Sequence, residues 1–243
     1  MDTEIKGLRQ ALIEAKSVAV LTGAGISAES GVPTFRGAGG LWRKYRSQEL
    51  ATPEAFATNP ELVWEFYNWR RTLIKDVEYN PAHRALVDLE AKVPHFTLIS
   101  QNVDGLHLRA GTKNLLEIHG NIWKVRCTEC GKITVDFTPD LGTSPRCDEC
   151  SGLLRPHVVW FGENLDYDIL QRAFDASTTC DVMLVIGTSA VVQPSASFPF
   201  EAKAKGALVA EINIESTPLS DLADITLLGK AGEIIPRLVE NWP

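Results

Sequence analysis

Apolar residues at Ile5, Leu8, Leu12 and Ile13 recur at helical spacing, so residues 3–16 read as a surface helix with one face on a core. The period then changes. Ser-Val-Ala-Val-Leu-Thr at 17–22 is almost continuously apolar and β-rich, and similar runs follow at 95–100, 181–186, 207–212 and 224–228, with a shorter one at 115–118. Branched and leucine-rich strands with little alternation are expected where both faces of a parallel sheet are covered. A helix is expected at 81–91 between two of them. Strands alternating with helices predict an α/β fold with a doubly wound, Rossmann-like parallel sheet.

Two segments interrupt this rhythm. Residues 37–79 gather Trp42, Phe56, Trp64, Phe66, Tyr67 and Trp69 where a compact βαβ unit would pass straight to its second strand. Asn59 followed by Pro60 reads as a helix cap and first turn, so this is expected to be a helical insertion. Residues 121–154 hold Cys127-Thr-Glu-Cys130 and Cys147-Asp-Glu-Cys150, with sixteen residues between the pairs. That spacing fits a four-thiolate zinc site, and four thiolates leave the metal no open position, so the zinc is expected to be structural. The expected organisation is one unit over 1–243: a sheet from 1–36, 80–120 and 155–243, the insertion at 37–79, and a small zinc-binding module at 121–154.

The first strand runs into Gly23-Ala-Gly-Ile-Ser-Ala-Glu-Ser-Gly-Val-Pro-Thr-Phe-Arg-Gly37. Gly23, Gly25 and Ala28 fit the G-x-G-x-x-G/A spacing: a tight turn, backbone approaching a pyrophosphate, and a small residue where helix meets strand. Two glycines after a buried strand also suit an ordinary turn. More telling, nearly every strand ends in glycine or polar residues: Gly23-Ala-Gly25, Gln101-Asn-Val-Asp104, His119-Gly120, Gly187-Thr-Ser189 and Asn213-Ile-Glu215. Ligands of open parallel sheets bind outside the carboxyl ends of the strands, so these clusters are expected to converge on one crevice.

Composition narrows the function classes. With 44% hydrophobic and 23% charged residues over 243, the chain has the makeup of one folded unit. A net charge of −7 argues against direct nucleic-acid binding, and the cysteine segment carries four basic against five acidic residues. No apolar run approaches the ~20 residues that cross a bilayer, and the N-terminus lacks the basic-then-apolar layout of a secretory signal. A soluble cytoplasmic monomer with no membrane partner is expected. Four of the five cysteines sit in C-x-x-C pairs, which suits a metal site better than disulfides, and Cys180 is left to pack in the core.

Two further patterns have an ordinary and a chemical reading. His119 sits at the carboxyl end of a short strand, as a general base near neutral pH would, or as a packed structural histidine would; His83, His95, His107 and His157 compete with it. Tyr67 and Arg70 are three apart and share a helix face, where they either grip one ligand group or form a surface arginine beside a packed tyrosine.

The glycine loop, Gln-Asn-Val-Asp, Leu-Glu-Ile-His-Gly, the paired C-x-x-C, Gly-Thr-Ser and Ile-Asn-Ile-Glu occur in this order along nearly the whole chain. The combination resembles the sirtuins, the NAD-dependent protein-lysine deacylases. The resemblance implies NAD as a consumed co-substrate, bound by Gly23, Ala24, Gly25, Glu29, Thr34 and Trp42, with Phe35 and Arg36 near the reacting end. It places Gln101, Asn102, Val103 and Asp104 at the ribose and nicotinamide, and Gly187, Thr188 and Ser189 at phosphate and ribose. Asn213, Ile214 and Glu215 would meet the adenosine ribose, and Ala231 the adenine.

His119 is implied as general base, with Asn102 also catalytic, and the cysteines hold one structural zinc apart from the chemistry. In the implied reaction the acyl oxygen of a modified lysine attacks the ribose carbon as nicotinamide leaves, and His119 deprotonates a ribose hydroxyl. The products are free lysine, nicotinamide and 2′-O-acyl-ADP-ribose. Residues 158–163, with Val158, Phe161, Gly162 and Glu163, resemble the strand that pairs with the acylated-lysine protein substrate. Tyr-x-x-Arg at Tyr67 and Arg70, with Ala51 as a small pocket residue, is similar to the branch that removes succinyl, malonyl and glutaryl groups, which sets acetyl second. Mono-ADP-ribosyl transfer is the alternative on the same scaffold. A dinucleotide oxidoreductase leaves the cysteines and His119 unexplained, and a zinc-ribbon interaction protein has no use for the strand-end clusters.

Overall fold

The structure is a computed structural model that describes residues 1–33, 41–42 and 45–242, with backbone alone at 41, 42, 45 and 47. The chain opens with α1 (Asp2–Glu14) and β1 (Ser17–Thr22), then a single short turn of helix, α2 (Ala24–Ala28). A small hairpin, β2 (Leu41–Trp42) and β3 (Tyr45–Arg46), leads into α3 (Ser47–Leu50), α4 (Pro53–Thr58) and α5 (Pro60–Ile74). There follow α6 (Pro81–Glu90), β4 (His95–Ser100), α7 (Leu106–Ala110) and β5 (Leu115–Glu117). Next come β6 (Gly120–Cys127), β7 (Ile133–Val135) and β8 (Leu154–Val158). The chain finishes with α8 (Tyr167–Thr179), β9 (Val182–Ile186), α9 (Phe198–Ala204), β10 (Leu208–Asn213), β11 (Ile225–Leu228) and α10 (Ala231–Val239).

Six strands form one parallel sheet in the order β11-β10-β9-β1-β4-β5. The chain builds outward from β1 to one side, returns, and builds outward to the other through β9, so the strand order reverses between β1 and β9. A sheet of this order opens a crevice at that switch point. On one face α1, α6 and α10 pack through Leu8, Leu12, Leu86, Leu89, Ile235 and Leu238. On the other, Ala173 of α8 and Phe198 and Ala202 of α9 cover Met183, Val185 and Val209. Both faces are covered, as the unalternating strands require, and Cys180 is buried in the second cluster.

The two interrupting segments share one core. Val63, Trp64, Phe66 and Tyr67 of α5 pack with Ile122, Trp123 and Val125 of β6, and Val158 and Trp160 complete the cluster. A three-stranded antiparallel sheet, β7-β6-β8, forms the floor. The Trp64 indole N–H donates to the Leu154 carbonyl at 2.8 Å, tying α5 to β8 directly. Helix α5 starts where its sequence says: the Asn59 side chain accepts from the Leu62 amide at 3.0 Å, with Pro60 in the first turn. Among the described residues no helix is long and apolar enough to cross a membrane.

The run at 158–163 differs from its expected form, because the strand ends at Val158. The Glu163 amide donates to the Trp160 carbonyl at 3.0 Å and Gly162 takes φ +89°, which closes a tight turn. Its apolar composition comes from packing on α5, and Phe161 at the tip is half exposed.

Candidate active site

Hydrogen bonds join the ends of five strands. After β4, the Gln101 side chain donates to Thr188 Oγ1 beyond β9 at 3.1 Å, and Asn102 Nδ2 donates to the Gly23 carbonyl beyond β1 at 3.1 Å. Beyond β10, Asn213 Nδ2 donates to the Thr188 carbonyl at 2.9 Å. Beyond β5, His119 Nδ1 lies 2.9 Å from the Gln101 carbonyl. The clusters expected to converge do so, at the carboxyl edge of the sheet around β1 and β9.

The glycines at this edge have a nearer reason than a ligand. A Cβ on Gly25 would lie 2.7 Å from Gly187 Cα, and one on Gly23 would lie 2.7 Å from the Gly187 carbonyl oxygen. Gly187 has φ +59°, and its own Cβ would lie 2.4 Å from the Ile26 nitrogen. Two backbones therefore touch across the switch point, and the Gly25 amide donates to the Gly187 carbonyl at 2.8 Å. That amide is not available to a phosphate. Ala24, the first residue of α2, has no intrahelical acceptor for its amide. Ala28, expected where helix meets strand, is exposed, because α2 stops there and the chain turns away.

His119 has its tautomer fixed by its neighbour. A carbonyl only accepts, so Nδ1 carries the proton toward Gln101 and Nε2 keeps a lone pair. Burial pushes the imidazole below its ordinary value, against the opposing pull of the Gln101 carbonyl, which keeps it neutral and basic at pH 7. Asp104 is buried and its carboxyl is pushed up by desolvation, partly offset by the Leu106 amide, which donates to Oδ1 at 2.9 Å, and by Ser27. Its backbone carbonyl accepts the Trp123 indole N–H at 2.9 Å, anchoring the catalytic loop on the small lobe.

Ser27 was not among the expected contacts, although it lies in the polar loop. Its hydroxyl oxygen accepts from Asn102 Nδ2 at 3.2 Å and lies 3.4 Å from His83 Nε2. His83 Nδ1 accepts the Asn80 amide at 3.3 Å, so its proton is on Nε2 and points to Ser27, leaving the serine proton for Asp104. Asn102, Ser27 and Asp104 are thus held in register by a neutral histidine from behind. Burial pulls His83 down to about 4, and packs it 4.8 Å from the His107 ring, itself lowered by burial. Unfolded chains take up a proton near 6.5 while the folded His83 does not. The folded state should therefore lose about 3 kcal/mol from this group as pH falls from 6.5 to about 4. Chemical denaturation across that range should show the decline, and His83→Asn should make it shallower, leaving the part that belongs to His107.

The other competing histidines stand apart: His95 is exposed at the start of β4, and His157 lies on β8. Glu29 accepts the Gly232 amide at 2.8 Å, beside buried Ala231 at the start of α10, so it ties the loop to that helix. Val103 turns its side chain into the small-lobe core, and its carbonyl accepts the Ile122 amide of β6 at 2.8 Å. Ile214 and Glu215 are exposed beyond β10, and Ser189 lies half-buried beside Thr188. Thr34, Phe35, Arg36 and the Trp42 side chain lie outside the described residues.

On α5, Tyr67 is fully buried and its hydroxyl lies 2.9 Å from Trp160 Nε1. The Arg70 guanidinium carbon lies 5.8 Å from the Tyr67 ring and 5.7 Å from the Phe66 ring. Desolvation lowers its pKa, and Tyr67 and Asp104 oppose that shift. Arg70 thus lies within electrostatic reach of Asp104, on the loop after β4. Ala51 is buried nearby, and its carbonyl accepts the Phe161 amide at 2.9 Å. Glu163, expected at the substrate, instead gives both carboxylate oxygens to Arg155 at 2.5 and 2.9 Å.

The four cysteine sulfurs lie within 4.8 Å of one another. Tetrahedral zinc with bonds of about 2.3 Å separates its sulfurs by about 3.8 Å, and Cys130 and Cys147 are already 3.8 Å apart. Backbone amides of Cys130 and Glu129 approach Cys127 Sγ and pull that thiol down to about 6, while the neighbouring sulfurs push Cys130 and Cys150 up, a crowding of sulfurs that a shared cation would relieve. It fits one closed structural zinc.

Fold and site together define a dinucleotide-binding protein of Rossmann type with a zinc-ribbon lobe beside its crevice. The chain belongs to the Sir2 family, whose profile matches residues 23–194. It is 54% identical over 229 residues to an NAD-dependent protein deacylase of Aquifex aeolicus, spanning 94% of this chain and 96% of that one. It is 48% identical over 256 residues to the mitochondrial NAD-dependent protein deacylase sirtuin-5 of Canis lupus familiaris, spanning 94% and 83%. A solved complex of a Sir2 homologue with NAD superposes with a TM-score of 0.91 at 48% identity, covering 96% of this chain and 92% of that one. A Sir2 protein bound to deacetylated p53 peptide and 3′-O-acetyl-ADP-ribose superposes at 0.87 with 35% identity, covering 97% of each.

Proposed function

We propose that this chain is an NAD-dependent protein-lysine deacylase that prefers acyl chains ending in a carboxylate. Family membership and relatives that are NAD-dependent protein deacylases support the activity. They do not favour ADP-ribosyl transfer to protein. The crevice edge suits the co-substrate by its chemistry, since it gathers amide, hydroxyl and carboxyl groups from several strand ends, the group types that pair with ribose hydroxyls and a carboxamide. NAD supplies the ribose carbon that receives the acyl oxygen. Asn102 and Asp104, held by Ser27, position the reacting end, and His119 takes a ribose hydroxyl proton at Nε2.

The observation that carries the acyl preference is the Tyr67–Arg70 pair. Arg70 is a guanidinium in surroundings that disfavour its charge, and a bound carboxylate would restore what desolvation removes. Charge-assisted hydrogen bonds of this kind are worth about 1.5–3 kcal/mol. Arg70→Met should therefore lower kcat/KM for a succinyl-lysine peptide by about 10- to 100-fold and affect the acetyl form of the same peptide far less. Products are followed by mass as nicotinamide and acyl-ADP-ribose. Equal losses on both peptides would overturn the preference.

A further inference from the structure

The indole of Trp160 is held from several sides. Arg155 lays its guanidinium over the ring, with its central carbon 3.5 Å from the centroid, while Phe56 tilts against the ring at 5.2 Å. Arg155 is locked in turn: Nη1 and Nη2 donate to the two oxygens of Glu163 at 2.5 and 2.9 Å, and Nη2 also donates to the Val158 carbonyl at 3.0 Å. Glu163 closes the loop by accepting the Trp160 amide at 2.8 Å. Such a planar arginine–carboxylate fork has a fixed geometry, so the ring lying on it has one orientation. Its N–H then points at the Tyr67 hydroxyl, 2.9 Å away, and both side chains are buried.

An indole N–H is a donor and nothing else. The Tyr67 oxygen must therefore accept from Trp160, and the phenolic proton must point to another acceptor. Without the indole, that oxygen would be free to take a hydrogen bond from any neighbouring donor, and the proton would have no assigned direction. We propose that Trp160, clamped by Arg155 and Glu163, is a positioning residue for acyl selectivity: it fixes Tyr67 as a donor to the acyl carboxylate that Arg70 binds. This role rests on the acidic-acyl reading given above. It also explains why Glu163, at the end of the turn, keeps its carboxylate turned inward.

Trp160→Phe removes the N–H and keeps an aromatic ring on the clamp. For the succinyl peptide its kcat/KM should fall about three- to tenfold, mostly through KM, and several-fold more than for the acetyl peptide. Tyr67→Phe should produce a similar selective loss, and the double variant Trp160→Phe/Tyr67→Phe should lose little beyond Tyr67→Phe alone, since the two groups act through one hydrogen bond. Additive losses, or equal losses on both peptides, overturn the proposal. A second measurement reads the wiring itself. In 15N-labelled protein the Trp160 indole N–H signal, assigned by its disappearance in Trp160→Phe, should move upfield in Tyr67→Phe. An unmoved signal overturns the hydrogen-bonded pair. A wild type that deacetylates without favouring the succinyl peptide, with the indole signal still moving, overturns the acidic-acyl reading and the selectivity role while leaving the pair intact.

Discussion

Replacing His119 by alanine should lower the rate of deacylation by about 10²- to 10⁴-fold, the range removed with a positioned general base. The side chain makes one structural hydrogen bond, to the Gln101 carbonyl, and that carbonyl lies at a half-buried loop where water can take the donor's place. The loss should therefore appear in kcat with thermal stability close to wild type. The acid limb of the pH profile supplies an independent check. Burial holds the imidazole below 6.5, so the basic form persists into mildly acidic solution, and kcat/KM should stay level down to that value and fall only below it. A profile falling from pH 8 toward 7 would show that another group is the base. Deacylation unchanged in His119→Ala would do the same.

Zinc removal should have the largest effect on stability. Binding energies in small zinc modules are on the order of 10 kcal/mol, comparable with the whole folding margin of a domain. The cysteines close the end of a sheet whose β6 and β8 form the floor under α5. Losing the metal should thus unfold more than the ribbon: α5 loses its partners, and Tyr67 and Arg70 lose their places beside Trp160 and Phe66. Cys147→Ser, or a strong chelator, should give a separate early thermal transition, no bound zinc by metal analysis, and deacylation below a few per cent of wild type. The large sheet, with its own two clusters of buried residues, should melt later. A single unshifted transition with full activity would refute a structural zinc.

What the chain disclosed before folding was whatever its neighbours in sequence decide. The strands of the large sheet, the Asn59 cap and the cysteine spacing are local patterns, and the structure has each of them. The strand-end clusters were legible for a different reason: parallel topology carries every carboxyl end to one edge. Contacts that depend on distant partners were not legible. Gly25 looks like a phosphate glycine until Gly187 is set against it, and only the strand order does that. Trp160 reads as one more apolar residue in a strand, whereas its indole is assigned by Tyr67, 93 positions away. Ser27 and His83 meet because α6 packs behind the loop, which no spacing in the chain records. Glu163 was placed at the substrate by family resemblance, and Arg155, eight residues earlier, claims both its oxygens.

The shared core of the small lobe has an evolutionary consequence. The Tyr67–Arg70 pair proposed to choose the acyl chain packs in the small-lobe core, whereas the strands whose ends build the crevice stand on the two clusters flanking the large sheet. Val103 and the Trp123–Asp104 hydrogen bond join the two. Changes in separate clusters combine nearly independently. Selection can therefore retune which modification is removed through substitutions in α5 that leave the contacts to Val103 and Asp104 in place, while the strand ends of the large sheet are inherited unaltered. Descent within such a lineage would diversify the acyl chain first and the chemistry last.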